Sequence, residues 1–92
     1  MSYQVPIKVR FRDIDMHQHV NNAVYFTYME NARAEVLMEG FLEYMEKGIL
    51  LIVAEAACQY KRPIKINDRI FCELSLERTG ASHFMITYIF KQ

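Results

Sequence analysis

The sequence has few of the features that mark secreted or membrane-spanning proteins. Its 92 residues contain two cysteines, Cys58 and Cys72, which form no CxxC pair. Two free buried thiols in a cytosolic protein are the simpler interpretation, and a disulfide or redox pair is the alternative. No apolar run approaches the roughly 20 residues that a membrane-spanning helix needs, and the first residues lack the charged and apolar regions of a secretory signal. We therefore expect a cytoplasmic protein with no membrane partner.

An excess of charge of one sign is also missing. Eleven Lys and Arg residues balance eleven Asp and Glu residues, so the formal net charge is zero. Nucleic acids and anionic membranes both select for an excess of Lys and Arg, and neither is expected as the main partner. Glycine and proline are scarce, with three and two residues, while 52% of residues are hydrophobic. This composition is ordinary for a single small globular domain over residues 1–92.

Several segments have the alternating pattern of half-buried strands. Side chains alternate between two faces in residues 3–11 and 69–78, and residues 84–90 are predicted as a further long strand. The apolar run that begins at residue 49 predicts a long strand over 49–60. One helix separates the first strand from the others. This order favours an α+β fold with the helix packed across an antiparallel sheet.

The helix has recognisable start and stop signals. Asn22 is a suitable N-cap and Gly40 a suitable C-cap, and a short second helical piece is predicted over residues 41–47, ending at Gly48. The side chains that fall on one face of the helix, and should pack on the sheet, are Tyr25, Tyr28, Met29, Ala32 and Val36.

Ionisable and amide side chains crowd into the loop between the first strand and the helix. They are Asp13, Asp15, His17, His19, Asn21 and Asn22. A carboxylate in such a loop can activate water or attack an acyl carbon, and the unpaired N–H groups of a helix N-terminus can stabilise an oxyanion. Simpler roles stay open, because either aspartate could be solvated or cap the loop. The histidines and aspartates together suggest a metal site, but no third-ligand spacing supports one.

The order of residues here resembles a known family. The pattern D-x-D-x-x-x-H-V-N-N-A-x-Y-x-x-Y-x-E-x-A-R, from Asp13 to Arg33, is similar to that of the 4-hydroxybenzoyl-CoA thioesterase-like branch of the hotdog-fold acyl-CoA thioesterases. The residues at 60–63, Asp68 and the turn at 79–82 also resemble that family. The resemblance covers nearly the whole chain. It implies a hotdog fold and hydrolysis of an acyl-CoA to a carboxylic acid and CoA, with no metal and no cofactor, since CoA is part of the substrate.

The resemblance also implies roles for individual residues. It places the catalytic carboxylate at Asp15, as general base or nucleophile, and the oxyanion donors near residues 21–23. Asn22 would hydrogen-bond the substrate carbonyl or the water, or only cap the helix. From the residues themselves, His19 is expected to fix the loop by hydrogen bonds or to contact the substrate, and Asp13 to be structural, bonding loop N–H groups.

Further residues are expected to bind the substrate. Glu30 either pairs with Arg33 or forms a polar wall of the acyl pocket, or is the catalytic carboxylate itself, and the basic patch at 61–65 is either solvated or binds CoA phosphates. The expected substrate- and CoA-binding residues are Asn21, Ala23, Tyr25, Glu30, Lys61 and Arg62.

Two departures from the family pattern qualify this interpretation. Gln18 stands where the family commonly has Gly, which permits a backbone turn that Gln is not expected to adopt. Family members also run longer, so we expect the domain to be C-terminally short, either as a fragment or with a partner chain completing the sheet. A homodimer or homotetramer is expected. Two alternatives stay open: a hotdog dehydratase or hydratase with His19 as base, and a non-catalytic acyl-CoA binding module.

Overall fold

A computed structural model describes residues 2–48, 52–53, 55–80 and 83–92 of the chain. It contains strand β1 (Ser2–Ile7), a 3-10 turn (Phe11–Asp13), helix α1 (Val24–Glu46), strand β2 (Ile70–Arg78) and strand β3 (Phe84–Lys91). The strands form one antiparallel sheet in the order β1-β2-β3. Helix α1 contacts both β1 and β2. The predicted α+β arrangement, with one long helix on an antiparallel sheet, is confirmed.

The core lies between the helix and one face of the sheet. In β2 the side chains of Ile70, Cys72 and Leu74 are buried, as the alternation predicts. Val5 of β1 lies opposite Cys72, which extends this apolar layer to the edge strand. The helix contributes the face predicted from its spacing, with four buried side chains and a partly buried fifth: Tyr25, Tyr28, Met29, Ala32 and Val36.

Helix α1 is longer than predicted and passes through Gly40 without a break. The prediction of a helix end at Gly40 and of a separate second helical piece is wrong. Glycine in a helix interior costs about 0.5–1 kcal/mol relative to Ala but does not stop the helix, and good helix formers follow it. The stop signal is Gly48, whose φ of 79° is in the left-handed region that ends helices. Its N–H donates to the Met45 carbonyl at 3.0 Å.

Strand β1 is shorter than predicted and ends at Ile7 rather than at residue 11. The chain turns at Arg10, whose carbonyl accepts the Asp13 N–H at 2.9 Å. The resulting 3-10 turn points the Phe11 side chain into solvent, where it is 85% exposed. The alternation of side chains between the two faces therefore ends before residue 11, where the backbone hydrogen bonds form within the 3-10 turn and not between strands.

The long strand predicted over residues 49–60 is wrong for its described part; residues 49–51 and 54 lie outside the described residues. Ile52 and Val53 are 86% and 64% exposed, and residues 55–60 are irregular. A strand needs a neighbour for its N–H and C=O groups. Within the described ranges, the three strands pair only with one another, and neither outer edge of the sheet pairs with residues 52–53 or 55–60.

Gly40 lies inside α1 and Gly48 lies just after it, so the two glycines give a matched test of where the helix ends. Gly40→Ala should stabilise the protein by about 0.5–1 kcal/mol, because an added Cβ meets no described atom within 4 Å. Gly48→Ala should destabilise it by about 1 kcal/mol, because Ala is strained at positive φ. Urea unfolding of both variants measures the difference. Destabilisation by Gly40→Ala would contradict the continuous helix.

Candidate active site

The loop before the helix folds into a tight hairpin-like turn that displays Asp15. Ile14 and Val20 form an isolated antiparallel bridge. Beyond it, the Asp15 N–H donates to the His19 carbonyl and the Gln18 N–H donates to the Asp15 carbonyl, each at 3.0 Å. The half-buried Asp15 and His19 are thus brought side by side at the end of this ladder.

One carboxylate oxygen of Asp15 has a partner within its own turn. Oδ1 accepts the His17 N–H at 2.9 Å, an arrangement in which the aspartate side chain caps the turn that follows it. The second oxygen accepts no hydrogen bond from the described residues. Asp15 therefore keeps an acceptor that is oriented by the turn and has no partner among the described residues.

Gln18 adopts the conformation for which the family's glycine is suited. Its φ is 64°, in the left-handed region. The expectation that Gln is incompatible with this turn is therefore wrong. A non-glycine residue is tolerated there, at a cost on the order of 1 kcal/mol, because the surrounding hydrogen bonds of the turn over-determine its backbone.

The Asp13 side chain is buried, in contrast to the half-buried Asp15. Its carboxylate is 4% exposed, and Oδ2 accepts the Tyr28 hydroxyl at 2.7 Å and the Arg10 N–H at 3.0 Å. The Arg10 Nε lies 3.7 Å from the same oxygen. The structure therefore places Asp13 in the structural role expected of it, although the sequence did not identify Tyr28 and Arg10 as its partners.

The titration of this pair reflects both burial and hydrogen bonding. Burial by itself raises the pKa of Asp13, but the hydrogen bonds from Tyr28 and the Arg10 N–H and the charge of Arg10 outweigh it, so the pKa is lowered. Burial, together with the hydrogen bond and charge of Asp13, raises the pKa of Tyr28. The carboxylate is therefore ionised and the phenol protonated at neutral pH.

The lowered pKa of Asp13 should make the free energy of unfolding depend on pH in the acidic range. Because its folded pKa is lower than its unfolded value of about 3.9, its contribution is present above the unfolded pKa and is lost as pH falls through the folded pKa. Asp13→Asn should therefore be less stable than wild type at pH 6, and the gap should shrink towards pH 3. Urea unfolding across this range measures it, with Glu43→Gln on the exposed side of α1 as control. A gap that does not vary with pH would contradict the role of ionised Asp13.

The start of helix α1 is held by Asn21 rather than by the predicted cap, Asn22. The Asn21 side-chain oxygen accepts the Ala23 N–H at 2.9 Å, and its carbonyl accepts the Val24 N–H at 2.9 Å. The Asn21 N–H donates to the Asp13 carbonyl at 2.9 Å. The capping hydrogen bond thus falls one residue earlier than predicted, because the bond to Asp13 holds Asn21 at the start of the helix.

This arrangement leaves one N–H group available at the helix entrance. The N–H groups of Asn21 and Ala23 are donated within the chain, whereas that of Asn22 has no partner among the described residues. No described peptide bond is cis, and across a trans peptide the Asn21 carbonyl and the Asn22 N–H point in opposite directions. Since that carbonyl points to Val24, the Asn22 N–H points out of the helix N-terminus.

Tyr60 joins this entrance to the distant segment that precedes β2. Its hydroxyl donates to the Asn22 carbonyl at 2.7 Å, and its ring packs edge-on against Tyr25 with centroids 4.9 Å apart. Nearby, the Val20 N–H donates to the Ile64 carbonyl at 2.8 Å. The sequence includes Tyr60 in the family-like run at 60–63, but no pattern in the sequence shows which atom it binds.

The other predicted site residues lie further out. Glu30 is exposed, and its expected ion pair with Arg33 is not among those that the described part of the chain forms. Arg33 instead donates to the Tyr88 hydroxyl at 3.0 Å, because β3 brings an acceptor to its side of the helix. Lys61 and Arg62 are both exposed.

The described residues contain no group of three or more His, Cys, Asp or Glu side chains placed to hold a metal ion. Within the same ranges, no helix combines the length and apolar character needed to cross a membrane.

Comparison with known proteins identifies the family. The sequence profile of the Thioesterase-like superfamily matches residues 9–92. The chain belongs to this superfamily. A hypothetical protein of Thermus thermophilus shares the fold, with a TM-score of 0.88 at 21% identity over 100% of this chain and 72% of that one. The resemblance and the hotdog fold predicted from sequence are thereby confirmed.

Several relatives of this thioesterase-like chain carry functional names. Long-chain acyl-CoA thioesterase FadM of Escherichia coli is 28% identical over 94% of this chain and 67% of its own length. The structure of BH1999 gentisyl-coenzyme A thioesterase has a TM-score of 0.84 at 28% identity, covering 98% of this chain and 77% of that one. A thioesterase from Thermus thermophilus, complexed with coenzyme A and Zn, has a TM-score of 0.79 at 34% identity, over 95% of this chain and 65% of that one. This chain spans 49% to 67% of the length of the four curated relatives it matches.

Proposed function

We propose that this chain carries the catalytic loop of an acyl-CoA thioesterase, which converts an acyl-CoA and water into a carboxylic acid and CoA. The observation that carries the proposal is the contrast between its two loop carboxylates. Asp13 is buried and bound to Tyr28, whereas Asp15 is half-buried and keeps an oxygen without a partner in the described chain. Membership of the thioesterase-like superfamily supplies the reaction class.

Asp15 would serve as the group that starts the reaction. As a general base, it takes a proton from water while the water oxygen attacks the thioester carbon. As a nucleophile, its own oxygen attacks that carbon, and water then hydrolyses the resulting anhydride. In both routes the carbon–sulfur bond breaks, CoA leaves as a thiolate and takes up a proton, and the acid is released.

The Asn22 N–H is the donor best placed to stabilise the oxyanion. It points out of the positive end of the helix dipole and has no partner among the described residues, while the N–H groups of Asn21 and Ala23 are already donated. Asn21 and Ala23 would therefore act by shaping this entrance. His19, whose carbonyl receives the Asp15 N–H, would hold the turn.

The remaining parts of the substrate would extend over the nearby surface. Tyr25 is buried against Tyr60 and Phe90 and would form the floor of the acyl site. Glu30 would line its polar rim, and the exposed Lys61 and Arg62 would pair with CoA phosphates. No metal or redox cofactor enters this scheme.

We further propose a cytoplasmic homodimer or homotetramer. The sheet face opposite the helix exposes large apolar side chains, including Phe71, Met85 and Ile89. Exposed large apolar side chains on one sheet face support a contact between subunits.

Removal of the Asp15 carboxylate tests the proposed reaction. Wild type should release thiol from at least one member of a panel of aliphatic and aromatic acyl-CoAs, and Asp15→Asn and Asp15→Ala should lower kcat by about 100-fold or more. Glu43→Gln, which alters an exposed carboxylate on α1, should retain wild-type activity. Circular dichroism checks that each variant is folded.

The possible results separate the proposal from its alternatives. Equal turnover by wild type and both Asp15 variants would remove Asp15 from the mechanism. Hydration or dehydration of an acyl-CoA that survives Asp15→Asn would favour a hydratase with His19 as base. Binding of acyl-CoA without any turnover would favour a non-catalytic module.

A further inference from the structure

We propose that Tyr28 and Asp13 form a positioning pair that sets the place of the Asp15 carboxylate relative to the helix N-terminus. The inference rests on the proposed function of Asp15 and deepens it. It assigns a role in the reaction to Tyr28, a residue of the buried helix face that would otherwise be explained by packing alone.

The first step is that Asp13 cannot itself be the reacting carboxylate. It is 4% exposed, and its partner Tyr28 is 1% exposed, so neither reaches a ligand at the surface. Oδ2 of Asp13 already accepts the Tyr28 hydroxyl at 2.7 Å and the Arg10 N–H at 3.0 Å. A carboxylate whose oxygen is bound to two donors in a buried site is held in one orientation.

The second step is that Asp13 begins the ladder that ends at Asp15. The Asp13 carbonyl accepts the Asn21 N–H, the next pair along is the Ile14–Val20 bridge, and the last is the bond from the Asp15 N–H to His19. Each of these links joins the outgoing to the returning strand of the loop. A shift of Asp13 is therefore transmitted to Asp15.

The third step is that Tyr28 ties this ladder to the helix that supplies the oxyanion donor. Tyr28 is in the second turn of α1, while Asn22 lies just before the first turn. The hydroxyl contact thus fixes the distance between the catalytic carboxylate and the Asn22 N–H through a single rigid element. Displacements of about 1 Å between reacting groups can cost 100-fold in rate.

The test compares variants that remove the hydrogen bond with one that keeps it. Tyr28→Phe and Asp13→Ala should lower kcat by about 10-fold or more, with KM for the acyl-CoA within about 3-fold of wild type, because the lost interaction affects alignment and not substrate binding. Asp13→Asn keeps an oxygen for the same donors and should retain kcat within about 3-fold. The double variant Asp13→Ala/Tyr28→Phe should be no slower than the slower single variant, because both changes break one contact.

Matched controls separate positioning from general stability. Tyr88→Phe removes a part-buried hydroxyl that accepts from Arg33, far from the loop in sequence, and should keep wild-type kcat. Thermal unfolding shows whether each variant is folded at the assay temperature. Asp15→Asn, measured beside them, reports whether the reaction uses that carboxylate.

The outcomes are distinguishable. Loss of activity by Asp13→Asn as severe as that of Asp15→Asn would place Asp13 in the chemistry and overturn the inference. Wild-type kcat in folded Tyr28→Phe, or a change confined to KM, would also overturn it. An inactive wild type, or an unaffected Asp15→Asn, would instead reject the proposed function on which the pair depends.

Discussion

The hydrogen bond from the Tyr28 hydroxyl to the Asp13 carboxylate is the contact on which the geometry of the loop depends. At 2.7 Å and almost fully buried, it joins the core face of α1 to the first residue of the loop ladder. Burying a carboxylate is costly unless donors surround it, and Tyr28 and Arg10 supply them. A displacement of the loop that breaks these hydrogen bonds would leave the buried Asp13 charge unpaired, and this costs free energy.

The two aspartates of the loop differ in their hydrogen bonding, and so do the two asparagines. Of the two aspartates, the buried Asp13 is bound to Tyr28, and the half-buried Asp15 keeps an oxygen that no described residue binds. Of the two asparagines, Asn21 donates and accepts within the chain to start the helix, while Asn22 leaves its N–H unpaired among the described residues. Position in the ladder, rather than residue type, decides how each member of these pairs is hydrogen-bonded within the chain.

Periodicity was sufficient to predict the layers of this fold, because residues such as Leu74 and Tyr28 are buried by their spacing alone. Predictions from local sequence alone were wrong where the secondary structure depends on contacts with other segments. Gly40 resembles a stop signal but stays helical, and the apolar Ile52 and Val53 form no strand because no described edge pairs with them. In the site, the motif located the loop, but the partners Tyr28–Asp13 and Tyr60–Asn22 join residues that are 15 and 38 positions apart. No local pattern reports such pairs.

Amide hydrogen exchange, followed residue by residue by NMR, tests most directly whether the Tyr28 hydroxyl holds the loop. In Tyr28→Phe, the Asn21 amide, which donates to the Asp13 carbonyl, should exchange about 10-fold faster or more, as loss of a hydrogen bond to a charged group implies. The Thr79 amide in the β2–β3 hairpin should keep its wild-type rate. An unchanged Asn21 rate would contradict the account, as would an equal acceleration at Thr79, which would show that the variant loosens the whole domain rather than the loop.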